Sequence, residues 1–201
     1  MTFLTLVRHG QSVYNLENRF TGSLDVELTA VGEEEAHRAG QKLKGYEYHA
    51  AYTSMLKRAQ GSLRIILKEI GQEDILVIKD AAFDERMYGS LQGLNKTETI
   101  EKFGAEQVEL WRRSFAARPP DGESLEDVFN RTVPYFKSAI ESKLKTKENI
   151  LIVAHGNSLR ALMMYLEKID SQAIAKVDIP TGIPRHYILD DNLAISKIIY
   201  L

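Results

Sequence analysis

Two histidine–glycine pairs stand out among the residues able to do chemistry. His9-Gly10 closes the stretch FLTLVRHG, with Arg8 just before the imidazole, and His155-Gly156 closes ILIVAHG, with Asn157 just after. Each pair follows an apolar run of the kind that forms a buried strand, so both imidazoles fall at strand ends. A histidine there can ligate a metal, act as base or nucleophile, or simply satisfy hydrogen bonds in a core. Metal ligation suits these neighbours poorly. There is no H-E-x-x-H or H-x-x-x-H spacing, cysteine is absent, and a cationic Arg8 would oppose a bound dication.

An anion suits them better. Arg8 and Arg58 carry planar guanidinium forks matched to phosphate, and glycine beside each imidazole allows backbone N–H groups to approach an anion closely. A neutral imidazole inside such a cage can attack phosphorus and become a phosphohistidine. The cage offsets charge on the transferring oxygens, and an ordinary imidazole pKa of ~6.5 keeps the neutral form available at neutral pH. The leaving oxygen also needs a proton. Glu85, in a polar segment holding two glycines, is the best carboxylic acid for this task, although in isolation it reads more simply as a solvated loop residue.

The elements that must position these groups alternate between strand and helix. FLTLV is a strand, and Leu28 to Lys44 is a helix with Thr29 as N-cap and the acidic run Glu33 to Glu35 near its start. HAAYTS is the second strand. The segment after it has Met55, Ala59, Leu63, Ile66 and Ile70 at helical spacing, with Gly71 as a stop. Ile75 to Lys79 is a third strand, DERMYGSLQGLNK a loop, and Lys96 to Phe103 and Ala105 to Phe115 are helices. Pro119-Pro120-Asp121-Gly122 breaks the chain before a helix opened by a Ser124–Asp127 capping box and kinked at Pro134. ILIVA reads as a central parallel strand, SLRALMMYLEKI as a helix, and RHYILD and AISKIIYL as closing strands. The expectation is a single α/β domain over 1–201 in three layers, a mostly parallel sheet with helices on both faces. Ligands bind beyond the carboxyl ends of strands in such sheets, so Arg8-His9, Ser54 and His155 should converge.

Composition adds limits. The 201 residues are 44% hydrophobic and 27% charged with a net charge of -2, which gives no sign of nucleic-acid or membrane binding. No run approaches the ~20 apolar residues of a membrane span, and the apolar part of the N-terminus is too short for a signal peptide, so a cytoplasmic protein is expected.

Beyond these readings, LVRHGQS resembles the RHG signature of the histidine phosphatase superfamily. RHGQSVYNLENRFTG, YTSMLKRA, DERMYGSLQGLNK, LWRRSF, AHGNSLRAL and IPTGIP together resemble the 2,3-bisphosphoglycerate-dependent phosphoglycerate mutases, in order, across residues 8 to 184. The resemblance implies that His9 is the phosphorylated nucleophile, Glu85 the proton donor and acceptor, and His155 a stabiliser of the transition state. It implies that Arg8 and Arg58 hold the phosphoryl group. Ser12, Asn15, Thr21, Gly22, Arg86, Met87, Tyr88, Lys96, Gly156 and Asn157 match substrate- or phosphate-binding positions, and Arg112 and Arg113 match a pair gripping the carboxylate end. Read alone, Arg112-Arg113 fits surface charge equally well.

The same resemblance implies interconversion of 3-phosphoglycerate and 2-phosphoglycerate, primed by 2,3-bisphosphoglycerate without a metal, and a homo-oligomer is compatible with it. Two departures stand out. The chain passes almost directly from AARPP to DGES, where longer relatives carry an insertion, and Leu201 follows a strand without the basic tail of many relatives. Less cover over the pocket is therefore expected. The alternative within the superfamily is a phosphomonoesterase that hydrolyses phospho-His9; a non-catalytic phosphate-binding module would be expected to lack His9 or Glu85.

Overall fold

The computed structural model describes residues 2–201. Its first strand, β1 (Thr2–Arg8), lies in a six-stranded sheet with β2 (Ala50–Thr53), β3 (Leu76–Lys79), β4 (Ile150–Ala154), β5 (Arg185–Leu189) and β6 (Ile195–Tyr200), in the order β3-β2-β4-β1-β5-β6. The first four strands in this order are parallel, and β5 and β6 add antiparallel at the far side. The unbroken apolar run of β4 has a simple cause. That strand is central, all five of its residues are buried, and both of its faces are covered.

Alternate side chains divide between the faces, as a period of two requires. Val7, Ala51, Leu151 and Val153 pack on α2 (Ala30–Lys42) and α3 (Lys57–Ile70) through Ala36, Ala39, Leu63 and Ile66. Leu4, Leu6, Tyr52, Ile150 and Ile152 meet the other layer. Its helices are α6 (Leu125–Ala139), α7 (Glu141–Lys145) and α8 (Gly156–Glu167), contributing Phe136, Ile140, Leu144, Leu159 and Leu162. The three layers are those expected from the alternation of elements.

Local signals explain the boundaries. Thr29 caps α2 by accepting from the Gly32 N–H, and Gly71 ends α3 in the left-handed region at φ 67°. Ser124 and Asp127 form the expected capping box of α6. That helix runs through Pro134 as one element to Ala139, and the chain then restarts as α7. Met55 does not join the apolar stripe of α3; it lies before the helix and is exposed. Three shorter helices complete the rim of the site: α1 (Val13–Leu16), α4 (Lys96–Phe103) and α5 (Ala105–Arg113). Among the described residues no helix is long and apolar enough to cross a membrane.

Candidate active site

The carboxyl ends of β1, β2 and β4 deliver Arg8-His9, Ser54 and His155 to one place. The His9 N–H donates to the Ala154 carbonyl at 3.0 Å, and the two imidazoles stand with ring centroids 4.9 Å apart. His9 Nδ1 lies 2.6 Å from its neighbour's carbonyl, Gly10 O. A carbonyl can only accept, so Nδ1 carries the proton and Nε2 keeps its lone pair. Burial, then the charges of Arg58 and Arg8, hold the His9 pKa well below the ordinary imidazole value. His155 is lowered by the same burial, by Arg58, and by His9 itself; its Nε2 is 2.7 Å from Ser54 Oγ. Both rings are therefore neutral at pH 7.

The cations around them are not held as the sequence suggests. Arg58 is fully buried, and its fork is already engaged: Nη1 donates to Leu24 O and Nη2 to Gly22 O, both at 2.8 Å. Arg8 Nη1 donates to Ile179 O at 2.7 Å. Arg58 therefore offers no free bidentate face, whereas Arg8, bonded only through Nη1, keeps its Nε and Nη2 uncommitted on the pocket wall. The Nε of each arginine, with His155 Nδ1, is buried without a hydrogen-bond partner. Unpaired buried polar atoms are costly, and three of them clustered at a strand-end pocket fit an oxyanion that would accept from them.

The two glycines serve different ends. A Cβ on Gly10 would stand 2.0 Å from Gly32 O, so Gly10 exists to let the strand end touch the backbone of α2. Its N–H donates to Ser62 Oγ at 3.0 Å rather than facing an anion. Gly156 is different: a Cβ there would meet Arg8 Nε at 3.7 Å and Glu85 Oε2 at 3.8 Å, which places it on the pocket wall.

Glu85 is fastened through one oxygen. Oε1 accepts from the Arg86 N–H at 2.8 Å, the Asn157 N–H at 3.2 Å and Asn157 Nδ2 at 2.9 Å, which leaves Oε2 beside Gly156. The Asn157 amide belongs to the first turn of α8, whose positive end faces this carboxylate. Tyr88 Oη accepts from Arg86 Nη2 at 2.9 Å, and its own O–H is free to donate. Burial pushes that phenol up, but the Arg86 guanidinium 4.5 Å over the ring, with Asn157, brings it below its ordinary pKa.

A cavity of about 340 Å³ opens above these groups, lined by Arg8, Asn15, Thr21, Gly22, Glu85, Tyr88, Lys96, Arg112, Arg113, Gly156 and Asn157 from the sequence reading. Lys96, at the start of α4, is lowered by burial and by the charge of Arg112. Arg112 and Arg113 end α5 and are only loosely occupied: Arg112 reaches Glu109 at 3.5 Å, and Arg113 reaches Val177 O at 3.5 Å and Asp178 at 3.6 Å.

Six residues named from the sequence do not reach the wall. Arg86 is fully buried behind Tyr88, with Nη2 also on Arg112 O at 3.0 Å. Ser12 is buried as the N-cap of α1, where it pairs with Asn15. Met87 is partly exposed and tied by its backbone to Glu123. Arg58 lies beneath the lining side chains, as do the two imidazoles. Sequence reasoning missed Arg19, Phe20, Arg160, Asp178 and Ile179, all on the wall. Arg19 and Phe20 lie in the RHGQSVYNLENRFTG block and Arg160 in AHGNSLRAL, so the signal was present without a role attached to it. Arg160 holds Asn157 Oδ1 at 3.1 Å and Ile174 O at 2.6 Å, and burial, then Arg86 and Arg113, lower its pKa to about 10.

Known proteins resemble this chain in sequence and in fold. The family model of the histidine phosphatase superfamily (branch 1) matches residues 4–188. A 2,3-bisphosphoglycerate-dependent phosphoglycerate mutase of Cytophaga hutchinsonii is 53% identical over 201 residues, 100% of this chain and 94% of the relative. The chain belongs to the phosphoglycerate mutases of the histidine phosphatase superfamily. A phosphoglycerate mutase of Schizosaccharomyces pombe is 48% identical over 197 residues, 96% of this chain and 93% of its own. Among solved structures, YhfR of Bacillus stearothermophilus superposes with a TM-score of 0.84 at 25% identity, covering 98% of this chain and 96% of that one. A mycobacterial glucosyl-3-phosphoglycerate phosphatase in complex with VO3 gives a TM-score of 0.82 at 26% identity, over 94% and 93% of the two chains. Among the described residues of this phosphoglycerate mutase family member, no three His, Asp or Glu side chains gather as a metal cluster would.

Proposed function

We propose that the protein interconverts 3-phosphoglycerate and 2-phosphoglycerate through a phosphohistidine at His9, primed by 2,3-bisphosphoglycerate. This is an intramolecular phosphotransferase step of glycolysis and gluconeogenesis, and we place it in the cytoplasm with its metabolites. The observation that carries the reading is the surplus of cations in one cavity. Arg8, beside a neutral nucleophile, shares the lining with Lys96, Arg112 and Arg113, and the charge of Arg58 acts on the same imidazole from below. One phosphate would not need so many cations; a substrate with a carboxylate and two phosphates would.

Phospho-His9 gives its phosphoryl group to the free hydroxyl of a phosphoglycerate. The P–N bond breaks, a P–O bond forms, and the hydroxyl proton passes to Glu85. The resulting bisphosphoglycerate turns in the pocket, and His9 Nε2 attacks the other phosphorus. Glu85 then returns the proton to the departing oxygen, so acid and base roles alternate on one carboxylate. The Nε of Arg8 and of Arg58 and the Nδ1 of His155 bear on the transferring oxygens, where charge is greatest. Tyr88, Asn15 and Asn157 orient the hydroxyls, and Thr21 and Gly22 close the rim.

The test is conversion of 3-phosphoglycerate with and without added bisphosphoglycerate. Primer-dependent isomerisation, absent in His9→Ala and unaffected by EDTA, supports the mutase. Rapid phosphate release without isomerisation would instead assign a phosphomonoesterase, the activity named for the mycobacterial neighbour.

A further inference from the structure

Glu85 lies in a stretch with little regular structure, between 3-10 turns at Ala81–Phe83 and Gly89–Leu91. Its proposed role nevertheless requires a carboxylate held to within a fraction of an ångström, since small misplacements are costly in rate. The fastening comes from Arg131 on α6. Nη1 donates to Ala81 O at 3.2 Å and Ala82 O at 2.9 Å; Nη2 donates to Asp84 O at 3.0 Å and Glu85 O at 3.3 Å. Nε and Nη2 reach the two oxygens of Glu123, each at 3.2 Å. Glu123 in turn accepts the Met87 N–H at 2.9 Å and donates its own N–H to Met87 O at 2.8 Å.

The chain is therefore gripped on both sides of Glu85: by the guanidinium up to residue 85, and by its carboxylate partner at residue 87. Every N–H of Arg131 points into this grip, and neither Arg131 nor Glu123 lines the cavity. A residue needed only to stabilise α6 would not need to place its donors on four carbonyls of one loop.

We propose that Arg131, acting with Glu123, is a positioning residue that sets where the Glu85 carboxylate stands relative to His9, and so governs proton delivery without touching substrate. The inference rests on the acid–base role of Glu85 proposed above. Nitrophenolate leaves without needing a proton, so phosphoryl transfer from p-nitrophenyl phosphate to His9 bypasses Glu85, whereas transfer from a phosphoglycerate does not. Arg131→Ala should lower kcat with 3-phosphoglycerate by about 10²-fold at little change in KM, and leave the first-turnover burst of nitrophenolate from p-nitrophenyl phosphate nearly intact. Glu123→Gln should show the same pattern more weakly.

Hydrogen exchange supplies a readout that needs no substrate: amides 84–87 should exchange faster in both variants, with the sheet unchanged. Equal losses on the two substrates would make Arg131 a structural residue and overturn the proposal, as would unaltered exchange at 84–87. If the wild-type protein only hydrolyses 3-phosphoglycerate, the mutase reading fails by itself. The leaving-group comparison then runs on the rate at which each substrate first phosphorylates His9 and judges Arg131 separately.

Discussion

The arginines of the pocket fall into two groups by how their donors are occupied. Arg58, Arg86 and Arg160 are buried, and each is bonded to backbone carbonyls, so each is part of the framework as well as a source of charge. Arg113 is about one-third exposed, and its partners lie at 3.5–3.9 Å, too long for firm hydrogen bonds. Binding an anion therefore requires little to be broken at Arg113. A charge-assisted hydrogen bond contributes ~1.5–3 kcal/mol, so Arg113→Ala should raise KM for phosphoglycerate by about 10- to 100-fold with an unchanged melting temperature. Arg160→Ala should instead lower the melting temperature and release Asn157, its partner. Steady-state kinetics beside thermal denaturation of both variants would separate the two roles; equal effects on stability would refute the division.

At the level of elements, much of the architecture was legible. Helical spacing gave α3, the capping signals gave α2 and α6, and the continuous run Ile150–Ala154 gave the central strand. These are local properties, and sequence carries them well. The convergence of Arg8-His9, Ser54 and His155 followed from the rule that ligands bind beyond parallel strand ends.

What stayed hidden was long-range. The start of α8 at Gly156, two residues before the apolar period begins, is visible only once Asn157 is seen donating to Glu85. The burial of Arg86 depends on Tyr88 and α5, which no window of sequence contains. The IPTGIP block, with no role assigned from the residues, proves to be a strap. Thr181 bridges Arg8, the Gly182 N–H donates to Arg8 O at 3.0 Å, and Thr181 Oγ1 donates to Glu35 at 2.9 Å. The two His-Gly pairs also look alike in sequence and differ in space. Gly10→Ala should destabilise the fold by more than ~3 kcal/mol, because backbone meets backbone and neither can yield. Gly156→Ala should fold normally and weaken substrate binding. Denaturant unfolding of the pair tests this; equal stability of the two variants would count against it.

For the whole molecule, the buried histidines link pH to folding. His9, His155 and His186 all have pKa values lowered chiefly by burial. Below ~6.5 the unfolded chain binds protons that the folded chain refuses, so unfolding gains protons and stability falls as pH drops. Above that value the contribution is complete and flat. The melting temperature should therefore decline on acidification from pH 7 to pH 5, and His9→Gln should decline less steeply. A wild-type profile flat over that range would contradict the burial of these rings. The direction fits the chemistry, since the neutral imidazole that attacks phosphorus is also the one the fold tolerates.

Arg58 shows how tightly shape and charge are joined here. Its two terminal nitrogens close the Gly22–Leu24 turn, its remaining nitrogen is buried without a partner, and its charge acts on His9. The mouth of the cleft and the electrostatics at its base are thus written in one side chain. Lysine could supply the charge but not the two carbonyl contacts. Redesigning specificity at the rim would therefore disturb the engine unless this guanidinium were left in place, and a new specificity is better sought through the α5 arginines.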